Sequence, residues 1–409
     1  MTARRVAVYA ALNAVGVIAY LVVAGQVGFF SHLSASLFWS PDSHTYRDVA
    51  NWLLGGGPNP AESRHRPFLY PLLLGVSGKI AADPGIWALN AVCWFGALNL
   101  TAASVVRLTG RMSIAAVAFL VLATNASLIV LSFQALTETL TAFLEALWIF
   151  GLALTRIPPA SPREIVPVLL PITLLVVVKP EFQVQLVIAL VLLAITIWRV
   201  RQSRMVLAGV AAACCLPVMF QVGLMATANH FVGVSNSGDI EFKSYYVSQV
   251  YASLNGLPDD LVAARNIVGE WSDRKAVSYL VQHRGVALST LVSNFHRNMT
   301  SGSNFVDASQ QPGLADLIRS SNRTMLKVHA LFVPIVVLAL WRRRDVRIVL
   351  LYVFAGLVTT IPTLIVDQGD RYIVVALPLW VAAYGLAVAD LLPDVSHVVQ
   401  LWQRRPQPA

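Results

Sequence analysis

The chain has 409 residues, 56% of them hydrophobic and only 12% charged, with a formal net charge of +9 and a mean hydropathy of +0.65. That composition excludes an ordinary soluble domain and describes a polytopic membrane protein. Lys and Arg fall mostly in short clusters between apolar runs, which is the pattern left by retention of positive charge on the cytoplasmic side, and no nucleic-acid partner is implied.

The N-terminal Met-Thr-Ala-Arg-Arg precedes an apolar run over 6–30. The run is too long for a signal-peptide core and lacks a small-residue cleavage site, so it is expected to be retained as a first helix. A spanning helix needs about 20 predominantly apolar residues. Such runs follow near 86–106, 112–132, 134–155, 165–179, 181–198, 205–228, 325–341, 346–366 and 371–392. Cys93, Cys214 and Cys215 all lie inside apolar runs and form neither a disulfide frame nor a zinc spacing.

The run 67–82 contains Pro67, Pro71, Gly75 and Gly78 and is barely long enough to cross. If it does not cross, Arg107/Arg111, Arg156/Arg163, Arg199/Arg201/Arg204, Arg342/Arg343/Arg344/Arg347 and Arg404/Arg405 share a side with Arg4 and Arg5. If it crosses, all of them move outside, against the cytoplasmic bias of Lys and Arg. The expectation is a helix or re-entrant segment in the outer leaflet. The fold class is then an all-α polytopic membrane protein with about ten transmembrane helices, both termini cytoplasmic, and an extracytoplasmic first loop of juxtamembrane helices. It divides into an N-terminal transmembrane module over 1–228 with the first loop at 31–82, a loop region 229–324, and C-terminal helices in 325–409.

This topology gathers the unusual polar groups on one face: the loop 31–66, Gln134 to Glu138, Lys179-Pro-Glu181, the stretch 229–324 and Asp367-Gln-Gly-Asp-Arg371. Within the first loop, Tyr46, Val49, Ala50, Leu53 and Leu54 have helical spacing, as in an amphipathic helix on the membrane surface. Gly55-Gly-Gly-Pro58 ends it; with no strand before and no GK[ST] after, it is not a phosphate loop. The stretch 229–324 is too long for an ordinary connection and is expected to fold into short helices over the outer face.

Asp42, just past the first apolar run, has the chemistry of a general base for an acceptor hydroxyl, and equally of a helix cap. Arg64, His65 and Arg66 suit a phosphate, whether a substrate's or a lipid headgroup's, because guanidinium groups donate in a planar fork. Glu138 opens an apolar helix, and Glu145 lies two turns deeper on the same face; ionisable groups in membrane helices are costly and functional by default. Lys179 and Glu181 flank Pro180, as an ion pair at a turn or as cavity groups. Asp367, Asp370 and Arg371 precede the last helix. Asp370 and Arg371 are adjacent, so one could face a ligand while the other is solvated. No histidine spacing marks a metal site, although Asp42 with His44 or Glu138 could hold a divalent cation through oxygen and imidazole ligands.

Asp42 with Tyr46, then Arg66-Pro-Phe-Leu-Tyr-Pro71, then Thr137-Glu138 opening a helix, and Asp370-Arg-Tyr372 with Pro378 at the last helix together resemble the integral-membrane glycosyltransferases of the GT-C superfamily. These include relatives of protein mannosyltransferases and of the lipid A aminoarabinose transferase. The resemblance implies a polyprenyl-phosphate-linked sugar as donor and an extracytoplasmic glycan, lipid or protein acceptor. It further implies a site facing outward from a membrane, which the Ala-, Val- and Arg-rich usage suggests is a bacterial inner or plasma membrane. Asp42 would be the base of an inverting transfer, with Glu138 as a second catalytic candidate. Arg64, Arg66 and Arg371 would neutralise the departing phosphate, and His44, Tyr46, Tyr70, Lys179, Glu181, Asp367 and Asp370 would shape the cavity. Many relatives carry a second acidic residue beside the first-loop Asp; here the neighbours are Ser43 and His44, so no metal is assigned. A transporter or flippase of lipid-linked sugars would show internal repeats and mid-membrane binding groups, and neither is evident. A non-catalytic cell-envelope assembly protein would use the polar loop as a binding surface.

Overall fold

A bilayer offers no partner to backbone N–H and C=O groups, so an apolar chain of this composition satisfies them internally, within helices. The computed structural model describes residues 3–29, 38–156, 159, 161–199, 204–257, 261–306, 308–343 and 345–403, and among these the regular elements are all helical. Residues 31–37 of the first loop and Arg201, Arg344, Arg404 and Arg405 of the basic clusters lie outside the described residues, as do the side chains of Arg4, Arg199 and Arg343.

Helix α1 covers Ala3–Gln26 and α2 Pro41–Leu53. The surface helix expected from Tyr46 therefore begins earlier, because Ser40 and Ser43 form a capping box and Pro41 fits the first helical turn. Helix α3, Leu69–Thr109, is broken at Ala81 and Ala82, where the backbone leaves helical geometry (φ −148° and 49°). Pro84 comes after the break and starts the second half, since a ring without an N–H fits a first turn and not an interior. The apolar run 67–82 is thus a helix separate from its successor in the chain.

Helices α4 (Met112–Ala123) and α5 (Ala126–Ser132) replace the single run expected at 112–132 and meet at 60°. Asn125 makes the bend by capping α5, accepting the Leu128 N–H at 2.8 Å. Then come α6 (Glu138–Leu154), α7 (Pro162–Val176) and α8 (Gln183–Arg199). The run 205–228 is also bent, by 49°, into α9 (Arg204–Cys214) and α10 (Leu216–Asn229), with Pro217 in the first turn of the second. The stretch 229–324 contains the short helices it was expected to form. They are α11 (Ser237–Ile240), a π-helical turn Glu241–Val247, α12 (Ser248–Leu254), α13 (Leu261–Gly269), α14 (Asp273–Gln282) and α15 (Arg284–Thr300). Four elements complete the chain: α16 (Pro312–Arg343), α17 (Val346–Ile365), α18 (Arg371–Val375) and α19 (Leu377–Gln403).

Among the described residues, five helices are long and apolar enough to cross a membrane, and up to seven if each bent pair is one span. The other three runs expected to cross correspond to α6, α7 and α18–α19. Helix α6 has 17 residues and α7 has 15, below the roughly 20 of a perpendicular span.

Helix α6 is buried over most of its length between α3 and α7. Its contact with α7 depends on two special residues. Pro171 has no N–H to offer the Pro167 carbonyl, and that carbonyl packs so closely on Gly151 that a Cβ there would lie 1.8 Å from it. At the C-terminal end of α6, Arg107 donates to the Ala153 carbonyl at 2.9 Å and Arg347 to that of Thr155 at 3.4 Å, where a helix end favours cations. Basic residues of α3 and α17 therefore gather at one end of α6, and Glu138 opens the other, about 25 Å away at 1.5 Å per residue.

Gly151→Ala is expected to lower stability by about 1–3 kcal/mol, the usual cost of overpacking, read as a lower thermal unfolding midpoint in detergent. Gly209→Ala, where a Cβ meets nothing within 4 Å, serves as the neutral control.

Candidate functional site

At the Glu138 end of α6, a cavity of about 530 Å³ opens between α2, the segment before α3, the α7–α8 connection, the α11–π turn and the approach to α18. Asp42 is in the first turn of α2, but Ser40 does the capping, so the Asp42 carboxylate is available for other partners. It has two. Arg66 Nη2 donates to Oδ1 at 2.8 Å, and Arg371 Nη1 donates to Oδ2 at 2.7 Å. Arg66 is aligned by Thr45 Oγ1 at 3.0 Å and by the Tyr46 hydroxyl at 3.1 Å. Arg371, itself buried, also donates through Nε to Glu138 Oε1 and through Nη1 to Gln368 Oε1 at 3.1 Å. Glu138 is fully buried behind the cavity wall and takes a second cation, the Lys179 ammonium, at 3.2 Å. Lys179 lies over the Tyr372 ring, 5.1 Å from its centre.

The approach to α18 is held by asparagines of α15. Asn298 donates to the carbonyls of Thr363 and Val366 at 3.0 and 2.7 Å and accepts the Gln368 N–H at 2.9 Å. The loop region thereby holds the end of α17 and the segment that carries Gln368 and Arg371.

Of the residues proposed from the sequence, Asp42, Tyr46, His65, Arg66, Lys179, Glu181 and Arg371 line the cavity, and Glu138 touches two of them. The others lie elsewhere. The Arg64 side chain is exposed, and the residue contributes its carbonyl, which accepts the Asn236 N–H at 3.0 Å. His44 is exposed on another face of α2, its ring 5.9 Å from Trp39, so it does not join Asp42 in a cation site. Tyr70 is buried against Tyr46, ring centres 5.2 Å apart. Asp367 pairs with Arg297 at 3.1 Å. Asp370 does face away from Arg371, but it is buried and not solvated: it accepts from Asn322 at 3.1 Å. Glu145 is buried in the bundle, and neither of its oxygens has a partner among the described residues.

Gln368 and Tyr372 line the cavity too; both lie in the segments singled out around Asp370 and Arg371, without a role of their own, whereas Glu241, also in the lining, had no signal in the sequence. Glu241 is one acid in a polar stretch. Only the π-helical turn that begins with it, a distortion frequent at functional sites, marks it. Four carboxylates, those of Asp42, Glu138, Glu181 and Glu241, therefore stand in or directly behind a cavity with three cations. Those of Glu181 and Glu241 have no ion pair among the described residues, and one Glu181 oxygen is buried without a hydrogen bond.

The carboxyl groups of the cavity differ in their electrostatics. Burial alone would raise the Asp42 carboxyl, but Arg371 and Arg66 outweigh it and hold Asp42 below the usual range. Burial, reinforced by the neighbouring Glu181, pushes Glu241 up to about 8. Burial also lowers His65, whose ring bonds Asn236.

Arg371→Gln strands Asp42 and Glu138 with one cation each and is expected to cost about 3–5 kcal/mol, the scale for breaking a buried ion pair. The Arg371→Gln/Glu138→Gln double variant should recover part of the loss in thermal unfolding. Glu241 gives a pH signature. Because its folded value is raised, its contribution to stability is complete below the ordinary 4.5 and is lost as pH rises toward about 8. Glu241→Gln should lack that decline, and parallel wild-type and variant profiles over this window would contradict it.

Compared with protein-family models, with curated proteins and with solved structures, the chain gives no match.

Proposed function

We propose that the chain is a membrane glycosyltransferase of the GT-C type, which moves a sugar from a polyprenyl-phosphate donor to an extracytoplasmic glycan, lipid or protein acceptor. The observation that carries this reading is the convergence of Asp42 with Arg66, Arg371 and Lys179 on one cavity. A carboxylate suited to deprotonating a hydroxyl stands against guanidinium groups suited to a phosphate. The same cavity has an apolar side, Val178, Val184, Ile361, Pro362 and Ile365, suited to the isoprenoid beside that phosphate.

Sidedness supports an outward-facing site. The cavity and the Arg107–Arg347 end lie at opposite ends of α6, and positive-inside retention assigns the basic end to the cytoplasm. Ten crossings, with α6, α7 and α18–α19 completing the count inside the bundle, then leave both termini cytoplasmic.

In the proposed reaction the donor phosphate takes up Arg66 and Arg371. The guanidinium groups it needs are those that hold Asp42, so phosphate arrival releases the carboxylate and raises its basicity. Asp42 accepts the proton of the acceptor hydroxyl. The acceptor oxygen bonds to the anomeric carbon as the bond from that carbon to the phosphate oxygen breaks, with inversion. Polyprenyl phosphate leaves with the electron pair, and its charge is met by Arg66, Arg371 and Lys179, where such stabilisation counts most.

Purified protein supplied with polyprenyl-phosphate sugars is expected to release polyprenyl phosphate. Asp42→Asn should slow release by roughly 10²–10⁴-fold, the range for loss of a general base, and normal turnover by that variant would remove Asp42 as the base. Because Asp42 competes with phosphate, the same variant should bind polyprenyl phosphate more tightly, by more than Glu241→Gln, which removes a carboxyl without freeing an arginine.

A further inference from the structure

On the other side of α2 lies a second cleft of about 280 Å³, between α2 and the first half of α3. Trp39, Arg47 and Asn51 form one wall, Lys79, Ala82 and Asp83 the other, and none of them lines the first cavity. Helical spacing separates the two sites: Asp42 and Tyr46 share one face of α2, and Arg47, Asn51 and Leu54 another.

The charge of the cleft is unbalanced. Asp83 accepts the Trp39 indole N–H at 3.3 Å. Arg47 lies over the Trp39 ring, 5.1 Å from its centre, and neither Arg47 nor Lys79 has an ion pair among the described residues. Two cations face one anion. The walls are also shaped for close approach. A Cβ on Gly75 would lie 2.7 Å from Leu54 Cδ1, so α2 seats directly on α3. Ala82, in the wall, holds φ at 49°, a conformation that a non-glycine residue keeps only where its surroundings impose it.

The outer surface beside the cleft is apolar. Val76 is 42% exposed and Ile80 79% exposed, and Lys79 shares their face at the i, i+3 position from Val76. Exposed aliphatic residues on a membrane helix meet acyl chains, and unpaired cations at the interface meet anionic headgroups. We propose that this cleft binds one anionic membrane phospholipid, its acyl chains along Val76 and Ile80 and its phosphate between Lys79 and Arg47. The bound lipid clamps α2, which carries Asp42 and Tyr46 on another face, against α3. This inference stands apart from the transferase reading, because it rests on a different site and its readout is lipid binding.

The test uses the full chain, delipidated in detergent and titrated with phosphatidylglycerol or phosphatidylcholine, with adducts counted by native mass spectrometry. One phosphatidylglycerol should bind with a preference over phosphatidylcholine on the order of tenfold, the scale of one or two basic residues at a headgroup. Arg47→Gln/Lys79→Gln should abolish the preference. Gly78→Leu, which fills the cleft without altering charge, should abolish it as well. Arg284→Gln/Lys327→Gln, an equal charge removal away from the cleft, should leave it intact. An unchanged preference in the first two variants would mean annular contact only and overturn the proposal. Stronger binding of polyprenyl phosphate than of phosphatidylglycerol, lost in the same variants, would also overturn it by giving the cleft to a different lipid.

Discussion

The Arg371 guanidinium is the point on which the rest of the structure depends. It reaches Asp42 on α2, 329 residues away in sequence, and Glu138 at the start of α6. A guanidinium is costly to bury unless its donors are paired, and a carboxylate as enclosed as Glu138 is costly unless a cation reaches it. Each group therefore requires the others. The first loop, the start of α6 and the approach to α18 have to arrive together, and Lys179 brings the α7–α8 connection with them. Hydrophobic packing holds the bundle, but it does not choose which loops meet at its end. Here the charges choose.

This explains why so much of the site was legible in the sequence and where the reading stopped. Ionisable residues stand out in a chain with 12% charge, and topology alone put most of them on one side. Asp42, Arg66, Glu138, Lys179, Glu181 and Arg371 were found in that way. Choosing between neighbours was beyond it. Arg64 and Arg66 are two residues apart, yet only Arg66 faces Thr45, Tyr46 and Asp42, because the short helical turn Ala61–Arg64 ends between them. Asp370 and Arg371 were expected to diverge, and they do, but Asp370 meets Asn322 of α16, a tertiary contact with no local signature. The sequence offered Asp42 as the cap of the surface helix, whereas Ser40, two residues earlier, holds that position in a capping box with Ser43.

The fold shows the same division. Apolar runs located nearly every long helix, because burial or lipid contact demands them, and the charge pattern set 67–82 apart from the run at 86–106, where the structure breaks the helix at Ala81 and Ala82. The bend at Asn125 was hidden, since Thr124, Asn125 and Ser127 are too few polar residues to divide an apolar run of this length by composition, and the break comes from the cap that Asn125 provides to the Leu128 N–H. Glu241 was hidden for the opposite reason. It lies in a polar segment where an acid is unremarkable, and its position is set by a π-helical turn and by packing against α17, neither of which leaves a periodic trace.

The charge balance of the cavity is a consequence of these placements. Asp42 and Glu138 share Arg66, Arg371 and Lys179, a set with net charge +1 when all five groups are ionised. Glu181 and Glu241, which line the same cavity, have no ion pair among the described residues. An anion drawn to Arg66 and Arg371 must displace Asp42 to gain both guanidinium groups. Glu181 and Glu241 oppose an anion, less so while Glu241 holds a proton, in which state that carboxyl becomes a hydrogen-bond donor. For the donor proposed above, the anion would meet Arg66 and Arg371, and its hydroxyls would find acceptors in the carboxylates of Glu181 and Glu241, which line the same cavity. Such binding would release Asp42, because the guanidinium groups it takes are the two that hold that carboxylate.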